Sequence, residues 1–369
     1  MSINFASALT SLYICVFSNM DIMELAFILI ILLMAELAVL AVLVVSGGVA
    51  TAFGVPFRCV FLNGLWLLLL PPLAVAYGAL VERNWYKVNE VEIPSDRLPA
   101  SFDGYRIVQI SDMHLRSFDG RTGSLRRAVE KINALEPDAV LFTGDIVTFG
   151  PSEMDGMEEI LSGIKAKDGV YSVRGNHDYC MYGKWADDAG RRTAIEEVVE
   201  RQRKMGWNVL LNSNVNIVRT HLPEVSGEPV RRDTISIIGV ENTSQSRHFP
   251  TYGSLERALE GADGVYRILM SHDPTHWSYN VSYRKDIDLT LSGHTHSMQL
   301  AFFGWSPSSL MFGEYAGLYG GPDAIVDGRS GNWLYVNVGL GETAIPARIG
   351  VRPEITLMTL RREGEDKTL

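Results

Sequence analysis

The stretch from Leu289 to His296 reads LTLSGHTH and places His294 and His296 directly after an apolar run. Such a run is typical of a buried strand, so both imidazoles are predicted at a strand end. Imidazole is the commonest neutral metal ligand in proteins. The sequence therefore predicts a metal site at the end of this strand.

Four earlier stretches have the same form, an apolar run that ends in ligand-type residues. They are IVQISDMH at 107–114, VLFTGD at 140–145, VYSVRGNHD at 170–178 and ILMSHD at 268–273. In layered α/β sheets, binding sites form beyond the carboxyl ends of the strands. The candidate metal ligands are Asp112, His114, Asp145, Asn176, His272, His294 and His296. Carboxylate, imidazole and amide donors without thiolate suit Mn, Fe or Zn, and their number suits two divalent ions that share one carboxylate.

From Tyr105 onward, short strands alternate with amphipathic helices, which predicts a layered α/β domain. Strands are predicted at 105–111, 139–143, 170–173, 209–218, 234–240, 266–270, 287–291, 334–338 and 354–360, with a polar loop at 220–233. Helices are predicted at 124–135, 153–164, 191–205 and 255–259. Because strands dominate the later part, we expect two sheets.

The first 81 residues are far more apolar than the rest. Leu25 to Val45 is apolar apart from Glu36, and about 20 apolar residues are enough to cross a bilayer. A Gly-rich turn at 46–56 leads to a second span at 57–80, with a buried hairpin of a soluble protein as the alternative. The predicted boundaries are an N-terminal segment at 1–24, two transmembrane helices at 25–81, an extended linker at 82–103 and the α/β domain at 104–369.

The distribution of charged residues indicates which partners and which location to expect. The chain has 33 basic and 43 acidic residues, so nucleic acid, which is held by surplus Lys and Arg, is not expected as a partner. Arg83, Lys87 and Arg97 follow the second span, whereas no Lys or Arg precedes the first. The positive-inside rule then predicts a multi-pass inner-membrane protein with its α/β domain in the cytoplasm. The three cysteines form no CxxC pair, so we expect no dependence on disulfides.

The ordered motifs DxH, GD, GNHD, a lone H and GHxH, spread over about Tyr105 to Leu360, resemble the calcineurin-like metallophosphoesterase superfamily. The resemblance implies an αββα sandwich of two mixed sheets flanked by helices. It further implies that Asp112, His114 and His296 hold one metal ion, that Asn176, His272 and His294 hold the second, and that Asp145 bridges both. It implies that His177 protonates the leaving oxygen or stabilises developing charge while a metal-bridging hydroxide attacks phosphorus.

The segment SHDPTHW at 271–277, the double span and the tail at 335–360 also resemble a bacterial membrane-associated branch of that superfamily. Some members of related branches cleave UDP-2,3-diacylglucosamine in lipid A synthesis, and others act on phospholipid-like diesters. We therefore predict a membrane-anchored phosphohydrolase that acts on a lipid or lipid-linked phosphoester. The alternatives are a UDP-2,3-diacylglucosamine diphosphatase and a non-catalytic metal-binding membrane scaffold. Ser297, Met298 and Gln299 stand where that branch often has glycines. We therefore expect the substrate to fit differently at that edge of the site.

Residues around these motifs carry further predictions. Asp178 and Asp273 are interpreted as groups that orient their neighbours. The remaining histidines, His221, His248 and His276, are interpreted as surface or packing residues. The segment from Gln299 to Trp333 is rich in aromatic residues, and loops of this length are usually functional. We hypothesise that it forms an apolar wall that takes acyl chains or touches the bilayer; the alternative is that its aromatic residues pack on the sheet.

Overall fold

The computed structural model describes residues 22–221, 231–321, 325–326, 329–330 and 332–363. Most of the predicted N-terminal segment and of the polar loop at 220–233 lies outside the described residues. The chain divides into two compact units. One ends at Trp85 and takes in Thr343–Arg352, and the other comprises Tyr86–Glu342 and the residues from Pro353 onward.

The helical unit contains α1 (Ile22–Ala52), α2 (Phe57–Gly64), a 3₁₀ stretch at Leu65–Leu69 and α3 (Leu70–Leu80). The segments Leu25–Ala52 and Phe57–Asn84 are long and apolar enough to cross a membrane, by length and composition. The predicted turn at 46–56 is shorter, because α1 continues through Gly47 and Gly48 to Ala52. A segment without water must satisfy its own backbone groups, which favours the longer helix over an early turn.

The α/β unit is built on two six-stranded sheets. The first has the order β1-β14-β2-β3-β4-β5. Its strands are β1 (Lys87–Ser95), β2 (Arg106–Ile110), β3 (Ala139–Phe142), β4 (Val170–Ser172), β5 (Asn208–Val209) and β14 (Glu354–Arg362). From β2 to β5 neighbouring strands are parallel, whereas β14 runs antiparallel to β2, so the sheet is mixed as predicted.

The second sheet has the order β10-β13-β9-β8-β7-β6. Its strands are β6 (Ser213–His221), β7 (Arg231–Gly239), β8 (Tyr266–Met270), β9 (Leu289–Ser292), β10 (Gly317–Gly320) and β13 (Trp333–Val336). Strands β7, β8, β9 and β13 are parallel, and β6 and β10 are antiparallel to their neighbours. A separate hairpin pairs β11 (Ile325–Val326) with β12 (Arg329–Ser330).

Three clusters of buried apolar residues join the helices to the sheets and the two sheets to each other. The helices are α4 (Thr122–Ala134), α5 (Glu158–Leu161), α6 (Asp188–Lys204) and α7 (Leu255–Leu259). Leu125 of α4 packs with Val140 of the first sheet, and Leu255 of α7 packs with Leu269 of the second. A third cluster joins residues of both sheets, among them Ile107, Leu141, Ile237 and Ile268. The predicted αββα order is confirmed.

The segment at 82–103, predicted as an extended linker, contains strand β1, whose partner β14 lies more than 250 residues later, beyond the reach of local pattern. Two local predictions were wrong. The predicted strand at 209–218 divides between the two sheets at Asn212, which has a positive φ of 51°. The predicted helix at 153–164 shortens to α5, because Gly156 turns the chain at a φ of 73°.

Candidate metal centre

The predicted ligands meet where five strands end. Asp112 and His114 follow β2, Asp145 follows β3 and Asn176 follows β4, while His272 follows β8 and His294 and His296 follow β9. These strands are parallel within each sheet, so their carboxyl ends share one edge. The side chains lie below the surface: Asp112, His114 and His272 have no exposed area, and His294 is partly buried.

The first cluster consists of Asp112, His114 and His296. The Nε2 atoms of His114 and His296 lie 3.1 Å apart. The Oδ1 atom of Asp112 lies 3.3 Å from Nε2 of His296 and 4.0 Å from Nε2 of His114. These three side chains could hold a metal ion.

The second cluster is built around His272. Its Nε2 lies 3.1 Å from Oδ2 of Asp145 and 3.2 Å from Oδ1 of Asn176. The same Asn176 oxygen lies 2.8 Å from Nδ1 of His294. Oδ2 of Asp145 also lies 3.7 Å from Nε2 of His114, so one carboxylate oxygen faces both clusters.

The donor set fits divalent cations. Nitrogen and oxygen donors without thiolate suit Mn, Fe or Zn. In addition, the Nε2 atoms of His114 and His296 face each other beside the Asp112 carboxylate. Where both nitrogens present lone pairs, a proton or a cation has to lie between them in this buried site.

Burial and mutual charge set the protonation of the cluster. Burial raises the pKa values of Asp112 and Asp145, but neighbouring imidazoles, His296 and His272 first, outweigh it and hold both pKa values below the ordinary range. Burial lowers the pKa of His272, and the charge and hydrogen bond of Asp145 outweigh it and raise that pKa to about 10. Burial, then His177 and His296, lower the pKa of His114 well below its ordinary value. Ionised carboxylates and neutral imidazoles are the forms that bind metal, so His272 releases its proton when an ion binds.

The backbone at this edge is strained. Left-handed φ angles, uncommon for residues other than glycine, occur at Asp112 (48°), His114 (42°), Asp145 (60°), His294 (74°) and His296 (48°). Each such conformation costs about 1–3 kcal/mol and persists only when the surroundings enforce it. The strain turns side chains from three strand ends, those of β2, β3 and β9, toward one point, which regular strand continuation would not do.

Asp178 holds the Asp145 loop in place. Its buried carboxylate accepts N–H bonds from Asp145 (2.8 Å), Ile146 (2.9 Å), Val147 (3.3 Å) and Gly175 (2.9 Å). Burial and the Asp145 charge raise the pKa of Asp178 to about 7, while these N–H donors oppose the rise. This geometry supports the orienting role predicted for Asp178.

Backbone carbonyls fix which ring nitrogens are free. Nδ1 of His272 lies 2.8 Å from the carbonyl oxygen of Thr143, so it carries the hydrogen and leaves Nε2 to face the cluster. Asp273 places Oδ2 at 3.7 Å from Nε2 of His294. That contact supports the orienting role predicted for Asp273.

His177 lies at the mouth of the site. Its backbone N–H donates to Oδ1 of Asp145 (2.8 Å), and its Nδ1 lies 2.9 Å from the carbonyl oxygen of Thr148. Nδ1 therefore carries a hydrogen, and Nε2 is the nitrogen that can exchange a proton with a bound molecule. The ring centroid lies 4.9 Å from that of His114 and 4.5 Å from that of Tyr182.

The other histidines fall outside the clusters as far as they are described. His276 is buried, and its Nδ1 lies 2.8 Å from Oγ of Ser271. Burial lowers the pKa of His276 to about 4. His248 is exposed, and the side chain of His221 lies outside the described residues. The packing and surface interpretations of His276 and His248 are confirmed.

Sequence reasoning missed several residues that shape the site. Glu153 accepts backbone N–H bonds from Thr148 (2.8 Å) and Phe149 (2.5 Å), which fixes the loop after Asp145. A methyl group at Gly339 would lie 2.7 Å from Cβ of Asp112, so only glycine lets the chain approach there. Neither residue belongs to a ligand motif, and no local pattern marks them.

The fold and the shared carboxylate define a class of two-sheet α/β domains with a histidine- and aspartate-rich metal centre. The sequence pattern of one family, calcineurin-like phosphoesterase, matches residues 105–298, just over half of the chain. The chain therefore belongs to the calcineurin-like phosphoesterase family.

Three relatives extend the comparison. A transmembrane protein with metallophosphoesterase domain from Danio rerio is 33% identical over 299 residues, 80% of this chain and 62% of that protein. The uncharacterised metallophosphoesterase YkuE of Bacillus subtilis is 29% identical, with 77% of this chain and 89% of YkuE aligned. The UDP-2,3-diacylglucosamine pyrophosphatase LpxG of Chlamydia trachomatis is 27% identical, with 79% and 94% aligned. The chain thus spans less than two thirds of the Danio rerio protein.

Proposed function

We propose that this chain is a membrane-anchored phosphohydrolase with two divalent metal ions, Mn, Fe or Zn. Asp112, His114 and His296 would hold one ion, Asn176, His272 and His294 would hold the other, and Asp145 would bridge them. One observation carries the proposal: a single Asp145 oxygen faces both clusters while His177 stands beside them with a free Nε2.

When bound, two such ions neutralise phosphoryl oxygens and lower the pKa of a nucleophilic water. The chain's own residues transfer a proton and hold the metal ligands in position. The Thr148 carbonyl accepts the Nδ1–H of His177, so a proton that His177 gives to the leaving oxygen comes from Nε2 of the doubly protonated ring. Asp178 keeps the Asp145 carboxylate in place through four N–H bonds, so little reorganisation accompanies the reaction.

The proposed substrate is a lipid or lipid-linked phosphoester. Two apolar helices give the chain access to a bilayer, and aromatic rings border the metal edge: the centroids of Phe249 and Phe312 lie 4.9 and 5.7 Å from that of His294. These rings can contact an acyl chain or glycan beside the phosphate. The relative that acts on UDP-2,3-diacylglucosamine by name favours a nucleotide-sugar-lipid diphosphatase as the second candidate.

The proposed location is the cell inner membrane, spanned twice, with the α/β unit in the cytoplasm. The charge asymmetry around the spans, with Arg83, Lys87 and Arg97 after the second, supports this orientation. Reporter fusions after residue 54 and after residue 363 test it. A cytoplasmic signal from the second fusion and an external signal from the first are expected; the reverse pattern would refute the orientation.

The activity is tested with full-length protein in detergent, assayed on bis-p-nitrophenyl phosphate and p-nitrophenyl phosphate with added Mn²⁺. We expect metal-dependent hydrolysis that His177→Ala lowers by about 10²–10⁴-fold, the usual contribution of a general acid. His248→Ala, an exposed histidine that belongs to neither ligand cluster, is the matched control and should keep wild-type turnover.

A second pair of substrates separates the candidates. Hydrolysis of a phospholipid-like diester without hydrolysis of UDP-2,3-diacylglucosamine would support the leading proposal, and the reverse would support the diphosphatase. Tight metal binding with no turnover of any soluble or lipid substrate would overturn both and leave the metal-binding scaffold.

A further inference from the structure

The loop that follows His296 presents a cluster of exposed apolar side chains. Half of the large apolar side chains that are exposed among the described residues from Tyr86 onward lie between positions 298 and 318. We name five of them the apolar loop patch: Phe302, Phe303, Trp305, Leu310 and Met311. Phe303 is fully exposed, and Leu310 and Met311 are 78% and 68% exposed. Soluble surfaces rarely carry such a patch unless a partner covers it.

The loop has a defined backbone, so this exposure belongs to its folded form. Oγ of Ser306, which is buried, donates to the carbonyl oxygen of Ser297 at 2.7 Å. Oγ1 of Thr295 donates to the carbonyl oxygen of Tyr315 at 2.6 Å, which closes the loop against the metal-ligand segment. Hydrogen bonds hold the stem of the loop, and the apolar side chains of the patch are exposed.

The charge pattern selects the kind of partner. Residues 297–313 contain no Asp, Glu, Lys or Arg, and the chain as a whole carries a net charge of −10. Attraction to anionic headgroups is therefore not the driving force. An uncharged loop with Phe and Trp at its tip suits the interfacial layer of a bilayer, where aromatic side chains are enriched. The same chain carries two helices that are long and apolar enough to cross a bilayer, which would keep the α/β unit close to a lipid surface.

The connections of the chain lie at the same edge as the loop. The polypeptide enters and leaves the α/β unit at Tyr86, Glu342 and Pro353. Strands β1 and β14 both start at the metal edge, because β14 runs antiparallel to β2 and β1 runs parallel to β14. Before Glu342, the N–H of Gly341 donates to the carbonyl oxygen of Asp112 at 2.8 Å. Within the α/β unit, the points where the polypeptide enters and leaves therefore lie at the edge that carries the metal centre and the patch.

We infer that the apolar loop patch inserts into the interfacial layer of the bilayer that anchors the chain. The insertion holds the metal edge at the lipid surface, so that a lipid phosphate reaches it without leaving the membrane. Access of a lipid phosphate to the metal edge rests on the proposed function, whereas the insertion itself needs no catalysis.

The test places an environment-sensitive fluorophore on the patch in full-length protein reconstituted into phosphatidylcholine nanodiscs. The background is Cys15→Ser with Cys59→Ser, which leaves only the buried Cys180. One variant adds Phe303→Cys, and the matched control adds Val265→Cys, which is 57% exposed and precedes β8 at the opposite sheet edge. The label at 303 should emit at shorter wavelength and be quenched by nitroxide-labelled lipids, whereas the label at 265 should do neither.

Equal, water-like emission from both labels, with no lipid quenching at position 303, would overturn the inference. A label on Leu310→Cys provides a second, independent position in the patch and should behave like position 303. Bis-p-nitrophenyl phosphate hydrolysis by the same samples separates the two proposals. Quenching without hydrolysis of this compound or of a phospholipid-like diester would refute the phosphohydrolase and leave the insertion standing, and hydrolysis without quenching would do the opposite.

Discussion

Replacing Gly175 with alanine tests how closely the site depends on the position of Asp145. A methyl group at Gly175 would lie 2.6 Å from Cγ and 2.7 Å from the backbone N of Asp145, and closer still to Oδ1. Carbon atoms pack at about 3.5 Å or more, so the carboxylate has to withdraw by about 1 Å. The backbone N cannot yield, because it donates to Asp178 at 2.8 Å.

Metal ligands tolerate displacements of only about 0.2 Å. A shift of about 1 Å in a catalytic group costs about 100-fold in rate. We therefore expect Gly175→Ala to lower diester turnover by about 100-fold and to weaken metal binding.

The matched control is Gly190→Ala in α6, where a methyl group would meet only Oδ1 of Asp187, at an ordinary 3.5 Å. It should keep full activity and raise stability by up to about 1 kcal/mol, the difference in helix propensity between glycine and alanine. Turnover and metal content of both variants test whether activity and metal binding depend on the position of Asp145. A Gly175→Ala protein with wild-type turnover and metal content would refute the reasoning.

Further perturbations follow from buried groups. Asp178→Asn replaces one acceptor oxygen by an NH₂ group and leaves the two N–H donors of that oxygen unpaired, for Oδ2 those of Asp145 and Gly175. Thermal unfolding should therefore show a free energy of unfolding lower by about 2–6 kcal/mol, and an unchanged transition would contradict the role of Asp178. His276 has a folded pKa of about 4 against 6.5 ordinarily, so the unfolded chain binds the proton more tightly and stability falls as pH drops below 6.5. Between pH 8 and 5 this removes about 2 kcal/mol, and His276→Asn, which cannot titrate, should lose that part of the slope. Chelation should lower the melting temperature, since ions at 100 times their dissociation constant stabilise the fold by about 2.7 kcal/mol; equal melting with and without chelator would argue against a metal centre.

The layered fold was predictable because each strand-end motif follows a short apolar run. Both faces of β3 are buried, so Ala139–Phe142 reads as continuous apolar sequence, and the stripe of α4 repeats at helical spacing. Strand β1 was missed since its pairing with β14 joins distant parts of the chain. Two-residue strands such as β5 are too short for any periodic signal.

The ligand types of the site were predictable, and its geometry was not. Residues such as Asp112 and His294 were evident because each follows a buried strand. Their left-handed backbone angles depend on contacts across the edge, such as the approach of Gly339 to Asp112. Glu153 accepts hydrogen bonds from backbone N–H groups. Any acidic residue in a loop could do so, and no sequence motif marks such a residue.

The most direct test of the dinuclear centre is the metal content of purified full-length protein, measured by mass spectrometry beside its diester turnover, for the wild type and Asp145→Asn. Asp263→Asn, an exposed aspartate outside the site, is the control. We predict two divalent ions per chain and metal-dependent turnover in the wild type and the control, and loss of turnover with at most one ion in Asp145→Asn. Wild-type turnover in Asp145→Asn, or in wild-type protein stripped of metal, would contradict the account.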